Sequence, residues 1–413
     1  MAVASAVWVL LSVGSPAVAE GPASLDDSRT QRIDDFLTSE RQASGIPGLA
    51  LVIVANDQIV HTAAFGVADG AGRAVTADTP FVLASVSKAF TALAVMQLVE
   101  AGRIQLDAPV QRYVPWFRVA DEEASTRITI AQLLHHSSGL GATNWMDASQ
   151  DEEALERFVR ALGSARLGFD PGDGYHYADA NYQVLGFVVE EVTGVAFDRY
   201  IQEHIFTPLG MVHSHVLAAD AFADGAAEGF YRWFGLATSP TRVPYPRAGA
   251  PAAVMFSSAN DMGQWLIAHL NGGRLGDAQV LSEAGMESLH TPVTEIDPDH
   301  GYAMGWAVRP YWEELVVPGM PATTYSLPAL IEHGGGWTTG HTYVGFVPER
   351  QWGFAVLMNL NDPVDNSPLT HVEQGVLRIL AGKEPLPAFA SSDLLGRAAR
   401  PLSLGLLGLE IVA

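Results

Sequence analysis

The chain contains no cysteine. That excludes disulfides, a thiol nucleophile and cysteine-ligated metals together, and it leaves the redox compartment open. Positive charge is scarce as well. The 23 Lys and Arg residues stand against 46 Asp and Glu, for a formal net charge of -23. Such a surface repels phosphate backbones and acidic membranes, which argues against nucleic acid as a partner. Lysine is nearly missing: Lys88 and Lys383 are the two in the chain, and every other permanent cation is arginine. A chain that uses arginine elsewhere but sets a lysine in an apolar stretch points to a need for an amine there. An amine can lose its proton when desolvated, whereas a guanidinium cannot. Long apolar runs are confined to the start of the chain, and no later one is long enough to span a bilayer.

What is present describes a globular protein of ample size. A chain of 413 residues can bury a large core, and its 48% hydrophobic and 17% charged residues are spread along the whole length. Ala2 to Val13 is uncharged and apolar, and Ala17-Val18-Ala19 follows as a small-x-small cleavage pattern, although a basic n-region is missing. Residues 1–19 therefore read as a signal peptide and the protein as exported, periplasmic or secreted. Residues 30–382 read as one catalytic domain and 383–413 as a tail, apolar from Leu402 to Ala413 except at Glu410. That tail leaves membrane association open.

Periodicity predicts an amphipathic helix over Ser28–Ala43 and two strands, Leu49–Ala55 and Gln58–Phe65, joined at Asn56-Asp57. A helix over Ser87–Glu100 closes at Gly102, and further helices are expected over Ile128–Leu134, Asp151–Leu162 and Tyr182–Val192. Another spans Asn260–Leu270, capped by Asn260, after a loop-rich stretch from Ala218 to Pro251. Short strands follow at Tyr302–Val308, Ala329–His333, Thr342–Val347 and Gly353–Met358, then a closing helix, Val372–Leu380. Strands at both ends and helices between them predict an α+β fold. An antiparallel sheet is built from the N- and C-terminal segments and flanked by helices, a largely helical lobe is inserted, and the site lies between.

Three segments carry reactive chemistry. In Ser85-Val86-Ser87-Lys88 the first and last residues are one helical turn apart, so hydroxyl and amine share a face. At a helix N-terminus Ser85 meets free N–H groups that stabilise negative charge on oxygen, and a Lys88 buried among apolar neighbours has a lowered pKa and accepts the serine proton. Tyr177-Ala178-Asp179 offers a phenol that serves as a base when a nearby cation depresses its pKa. His333-Gly334-Gly335-Gly336 follows a strand, where glycines let a ligand approach the backbone and N–H groups can complete an oxyanion hole. Each segment has a plain structural alternative when taken alone: a capping serine with a surface lysine, a packed tyrosine, a flexible turn.

Together their order resembles the penicillin-recognising pattern of Ser-x-x-Lys, a middle polar motif and Lys-Thr-Gly. The chain is similar to the serine β-lactamase-related superfamily, in the branch of class C β-lactamases, D-alanyl-D-alanine carboxypeptidases and related esterases. In that branch the middle motif is Tyr-x-Asn and the third often begins with His. Ile128 to Leu140, Gly301 to Trp306 and Gly345 to Pro348 carry the likeness further. The resemblance implies Ser85 as nucleophile, with Lys88 and Tyr177 sharing the acid and base roles. It also implies the amides of Ser85 and Gly336 as the oxyanion hole, with His333 and Gly335 flanking the substrate. The expected activity is hydrolysis of esters or D-amino-acid-type amides and peptides. The alternatives are a penicillin-binding or sensor-type protein with little turnover, and a β-lactamase.

Asp179 stands where the family more often has Asn. An ionised carboxylate accepts but does not donate, so it repels a substrate carbonyl unless it pairs with Lys88, and that pairing raises the Lys88 pKa. The remaining histidines, among them His135-His136 and the trio His204, His213 and His215, fit no standard metal spacing. Neither a metal nor another cofactor is expected. The expected partner is a small-molecule or peptide substrate.

Overall fold

The computed structural model describes residues 25–141, 148–233, 237–240, 243–314, 327–362 and 367–385. The segment read as a signal peptide, and the tail from residue 386 on, lie outside the described residues.

Helix α1, Asp27–Ser44, begins where Asp26 accepts the Arg29 N–H at 2.7 Å and ends at Gly45 in the left-handed region, φ 61°. Strands β1, Gly48–Ala55, and β2, Gln58–Gly66, form the expected hairpin, with Asn56 at φ 56° in its turn. Helix α2, Ser87–Glu100, carries the first motif, and α3, Asp179–Thr193, carries the second. Helix α4, Ala259–Leu270, is capped by Ser258 rather than Asn260. The Ser258 hydroxyl takes the Asp261 N–H at 3.2 Å, while Asn260 reaches out to Asp78 at 2.7 Å.

The C-terminal half supplies strands β3, Thr294–Asp297, β4, His300–Tyr302, and β5, Ala307–Pro310. They are followed by β6, Ala329–Trp337, β7, Gly340–Val347, and β8, Trp352–Met358, before helix α5, Ser367–Leu380. These form one eight-stranded sheet in the order β2-β1-β8-β7-β6-β5-β4-β3, antiparallel throughout. The single strand expected over Tyr302–Val308 is two strands. Gly305, φ 79°, turns the chain between them, and a Cβ there would lie 2.9 Å from Ala89 Cα, so this turn seats against α2.

Why the sheet is a middle layer can be read from β1, whose eight residues are all buried. Ala50, Val52 and Val54 join the core shared with α2, α3 and α4, whereas Leu49, Leu51 and Ile53 join the core under α1 and α5. Alternate side chains of a strand point to opposite faces, so a strand buried on both faces reads as an unbroken apolar run. Each fully buried Leu, Val or Ile contributes about 1.5–3 kcal/mol. The fold is α+β, with the two terminal helices on one face and the helical lobe on the other.

Candidate active site

The approach to Ser85 is held from several sides. Phe81–Val82 pairs with Phe256–Ser257, and Thr342 Oγ1 donates to the Val82 carbonyl at 2.9 Å. The Leu83 N–H donates to Met255 O at 2.8 Å, and the Met255 N–H donates to Ser87 Oγ at 3.2 Å. Between these fixed points the chain turns through buried Ala84 at φ 48°, a left-handed conformation that costs an L-residue about 1–2 kcal/mol. A short 3₁₀ turn, Ala84–Val86, then leads into α2 and leaves the Ser85 side chain partly exposed.

Lys88 is fully buried, and its ammonium reaches three acceptors. Nζ lies 2.6 Å from Asp179 Oδ1, 2.9 Å from Ala252 O and 3.2 Å from Ser85 Oγ. Burial alone pushes the amine down, but the charges on Tyr177 and Asp179 outweigh it and hold Lys88 above its ordinary value. The expectation of a lowered Lys88 pKa is thereby corrected. The physical reason is the Tyr177 oxygen together with the carboxylate at position 179, which matches one of three N–H groups while a backbone carbonyl matches a second. Asp179 opens α3, and its side chain is 27% exposed, so part of it faces the cleft.

Tyr177 presents its ring to Lys88, with Nζ 4.6 Å from the ring centre. Its hydroxyl is buried and takes no hydrogen bond among the described residues. Hydroxyl and amine therefore touch, and the phenol stands beside them with an uncommitted oxygen.

The glycine segment forms the last half of β6. Pairing of β6 with β5 stops at Glu332, whereas pairing with β7 continues to Trp337, so the backbone from His333 onward has one free edge. Gly335 lies against the Ser85 turn: a Cβ on it would sit 2.3 Å from Leu83 O and 3.2 Å from Ser85 N. That close approach is what glycine permits here. Gly334 and Gly336 on either side are exposed.

His333 is buried with two partners. Nδ1 is 2.7 Å from Gly334 O, and Nε2 is 3.3 Å from Tyr302 Oη. Burial, aided by the Lys88 charge, pushes its pKa down to about 3. Tyr302 Oη is also 3.2 Å from His136 Nε2, and His136 is held well below the ordinary histidine range by burial and then by Lys88. His136 and Tyr302 were not among the expected site residues. Their segments carry the likeness noted above, but the contacts between them span 166 residues and leave no local trace.

Of the other histidines, His213 and His215 both meet Asp224 Oδ2, at 2.9 and 2.8 Å, and His204 packs its ring on Tyr200 at 4.3 Å. Among the described residues no group of three or more His, Asp or Glu side chains could hold a metal ion.

The likeness to known proteins extends over most of the chain. Penicillin-binding protein 4 of Amycolatopsis lactamdurans is 31% identical over 370 residues, covering 88% of this chain and 93% of that protein. Protein flp of Staphylococcus aureus strain MW2 is 27% identical over 82% of this chain but only 64% of its own length. Among solved structures, the octameric penicillin-binding protein homologue from Pyrococcus abyssi superposes with a TM-score of 0.72 at 25% identity, covering 87% of this chain and 78% of that one. A class C β-lactamase has the same fold, with a TM-score of 0.71 at 20% identity over 86% and 96% of the two chains. The β-lactamase family's own sequence model spans residues 33–376, from α1 to α5 and across all three motif segments, and the chain belongs to that family.

Proposed function

We propose that the protein is a serine hydrolase that forms an acyl-enzyme on Ser85 and releases it to water, with esters or D-amino-acid-type amides as acyl donors. Family membership supports a serine-hydrolase or penicillin-binding type of function. The observation that carries the reading is the buried Lys88 ammonium 3.2 Å from Ser85 Oγ, with an open glycine strand edge against the same turn.

In this proposal Lys88 stays protonated, because its other two N–H groups face a carboxylate and a carbonyl that can only accept. It therefore stabilises the developing Ser85 alkoxide rather than taking its proton. The proton goes to the oxygen of Tyr177, which acts as the phenolate that the neighbouring Lys88 cation stabilises and becomes the neutral phenol on taking it. Ser85 Oγ bonds to the acyl carbon, and the amides of Ser85 and Gly336 receive the oxyanion. Tyr177 returns the proton to the departing alcohol or amine, and water, activated through Tyr177, then cleaves the ester.

Charge narrows the acyl donor. The Lys88 cation is matched by Asp179, and His333 is neutral at physiological pH, so neither offers a free cation to a substrate carboxylate. Neutral esters and amides suit this arrangement better than carboxylate-bearing peptides or β-lactams. A second reading, a penicillin-binding or sensor-type protein that acylates and turns over little, is favoured by the commitment of Lys88 to Asp179. Treatment with a fluorophosphonate and with a labelled penicillin, followed by mass spectrometry and a p-nitrophenyl ester assay, separates the two. An adduct on Ser85 with turnover supports the hydrolase. An adduct without turnover supports the sensor, and no adduct with either probe defeats both.

A further inference from the structure

Behind the glycine strand lies a chain of hydrogen bonds whose direction can be worked out from its ends. At one end the Ala178 N–H is 3.2 Å from His136 Nδ1. A backbone N–H can only donate, so His136 Nδ1 carries no proton. Asn181 Nδ2 reaches the same nitrogen at 2.9 Å. Its orientation is set on the other side by Ser138, whose hydroxyl accepts the Leu140 N–H at 3.1 Å and donates to Asn181 Oδ1 at 2.5 Å. The His136 proton is therefore on Nε2 and points to Tyr302 Oη, 3.2 Å away.

At the far end, Gly334 O can only accept, and His333 Nδ1 lies 2.7 Å from it. The His333 proton is therefore on Nδ1, and its Nε2 is bare. Tyr302, receiving from His136, sends its own proton to that nitrogen at 3.3 Å. The remaining groups around the chain leave this order intact. Lys88, His135 and His176 face His136; Tyr175, Tyr177 and Tyr182 face Tyr302; Lys88 and the Tyr177 ring face His333. Tyr182 spends its proton on Leu134 O at 2.8 Å, so its oxygen can only accept from Tyr302, and as a phenol oxygen it is a weaker acceptor than the bare His333 Nε2.

We infer that His136 and Tyr302 are positioning residues that hold His333 as the Nδ1–H tautomer, tied to the Gly334 carbonyl, and so fix the backbone whose amides receive the oxyanion. The chain also keeps a charged imidazolium out of the cleft, since protonating His333 at Nε2 opposes the Tyr302 proton already aimed there. Tyr302 thus acts through His333 on both the geometry and the charge of the substrate site. The inference deepens the hydrolase reading and rests on it for its catalytic meaning.

The test is nitrogen NMR on the full-length protein labelled at histidine ring nitrogens, with His333 and His136 assigned by the spectra of His333→Gln and His136→Gln. At pH 7 the expected result is an Nδ1–H ring for His333 and an Nε2–H ring for His136. The opposite tautomer at either position, or an imidazolium at His333, overturns the proposal and is read in the unmutated protein. Tyr302→Phe keeps the ring and removes the relay. It should mix the His333 tautomers and lower kcat for a p-nitrophenyl ester by about three- to tenfold. A folded Tyr302→Phe protein with the wild-type His333 tautomer and kcat also overturns it. If the tautomers are as stated while Ser85 takes no covalent probe, the hydrolase reading fails and the hydrogen-bond assignment stands.

Discussion

Asp179→Asn is the substitution that separates the two possible roles of Lys88. The carboxylate and ammonium are 2.6 Å apart, with Lys88 fully buried. At that separation and an effective dielectric constant of about 20, two unit charges attract by roughly 6 kcal/mol, or about four pH units. Asp179 is 27% exposed, so solvent takes back part of this, and the Lys88 pKa is expected to fall. Burial, then opposed by Tyr177 without Asp179, acts in the same direction. The amine, held above its ordinary value in the native protein, should then titrate at a lower pH than it does there. If Lys88 works as an ammonium, the variant loses kcat/KM as pH rises through the new pKa, and an alkaline limb appears. The assay is p-nitrophenyl acetate hydrolysis from pH 5 to 9.5, with the folded fraction checked by circular dichroism at each pH. A variant that gains activity as pH rises would show the neutral amine to be the base, and the role assigned to Tyr177 would be wrong.

Three further outcomes follow from the same structure. Ser85→Ala should lower ester turnover by about four orders of magnitude or more. Stability should change by no more than about 1 kcal/mol, since Ser85 gives up the hydrogen bond from Lys88; a large drop in melting temperature with residual turnover would refute the nucleophile assignment. Gly335→Ala should cost about 1–3 kcal/mol in urea unfolding and suppress fluorophosphonate labelling, because its Cβ meets Leu83 O and Ser85 N. Gly334→Ala, with open space at the same atom, should unfold at the wild-type midpoint, and equal midpoints for the two variants would contradict this contact. Acid should destabilise the fold through buried histidines. His269 Nδ1 and His290 Nε2 are 2.8 Å apart, and burial holds both below 6.5, His290 at about 3. The unfolded chain protonates them first, so each lowers stability by about 1.4 kcal/mol per pH unit as pH falls below about 6.5. His136 and His333 act in the same sense, while Glu190, pushed up to about 7, acts in the opposite one. The net expectation is a falling urea midpoint between pH 6.5 and 5, and a flat one would refute it.

The sequence made the elements visible where a single periodicity governs them. Ser87–Glu100 was legible because its apolar positions recur at helical spacing, and Ser85 and Lys88 share a face because the 3₁₀ turn Ala84–Val86 runs directly into that helix. The layer arrangement was legible because β1 reads as an unbroken apolar run at one end of the chain and β7 and β8 as strands at the other. What escaped is what long-range contacts decide. Tyr302–Val308 reads as one strand until Gly305 has to seat against Ala89, and the helix cap falls to Ser258 because Asn260 finds Asp78 instead. The sign of the Lys88 shift depends on Tyr177 and on a carboxylate 91 residues away, and burial without these partners gives the opposite answer. His136 and Tyr302 read as packing residues because nothing local marks a histidine whose ring nitrogens are bound from distant segments.

The double burial of β1 also bears on how the protein is made. Its partner on one edge, β2, follows within the hairpin, but on the other edge Leu49 faces Met358 and Ala55 faces Trp352. At synthesis rates of about 5–20 residues per second, that second partner leaves the ribosome tens of seconds after the first. Through this interval a sticky ribbon with an unzipped side has nothing native to close it, the situation in which chains pair with their neighbours instead. Holding such a nascent chain open until its last strands emerge is a task for a chaperone, and the demand for one is written into the strand order.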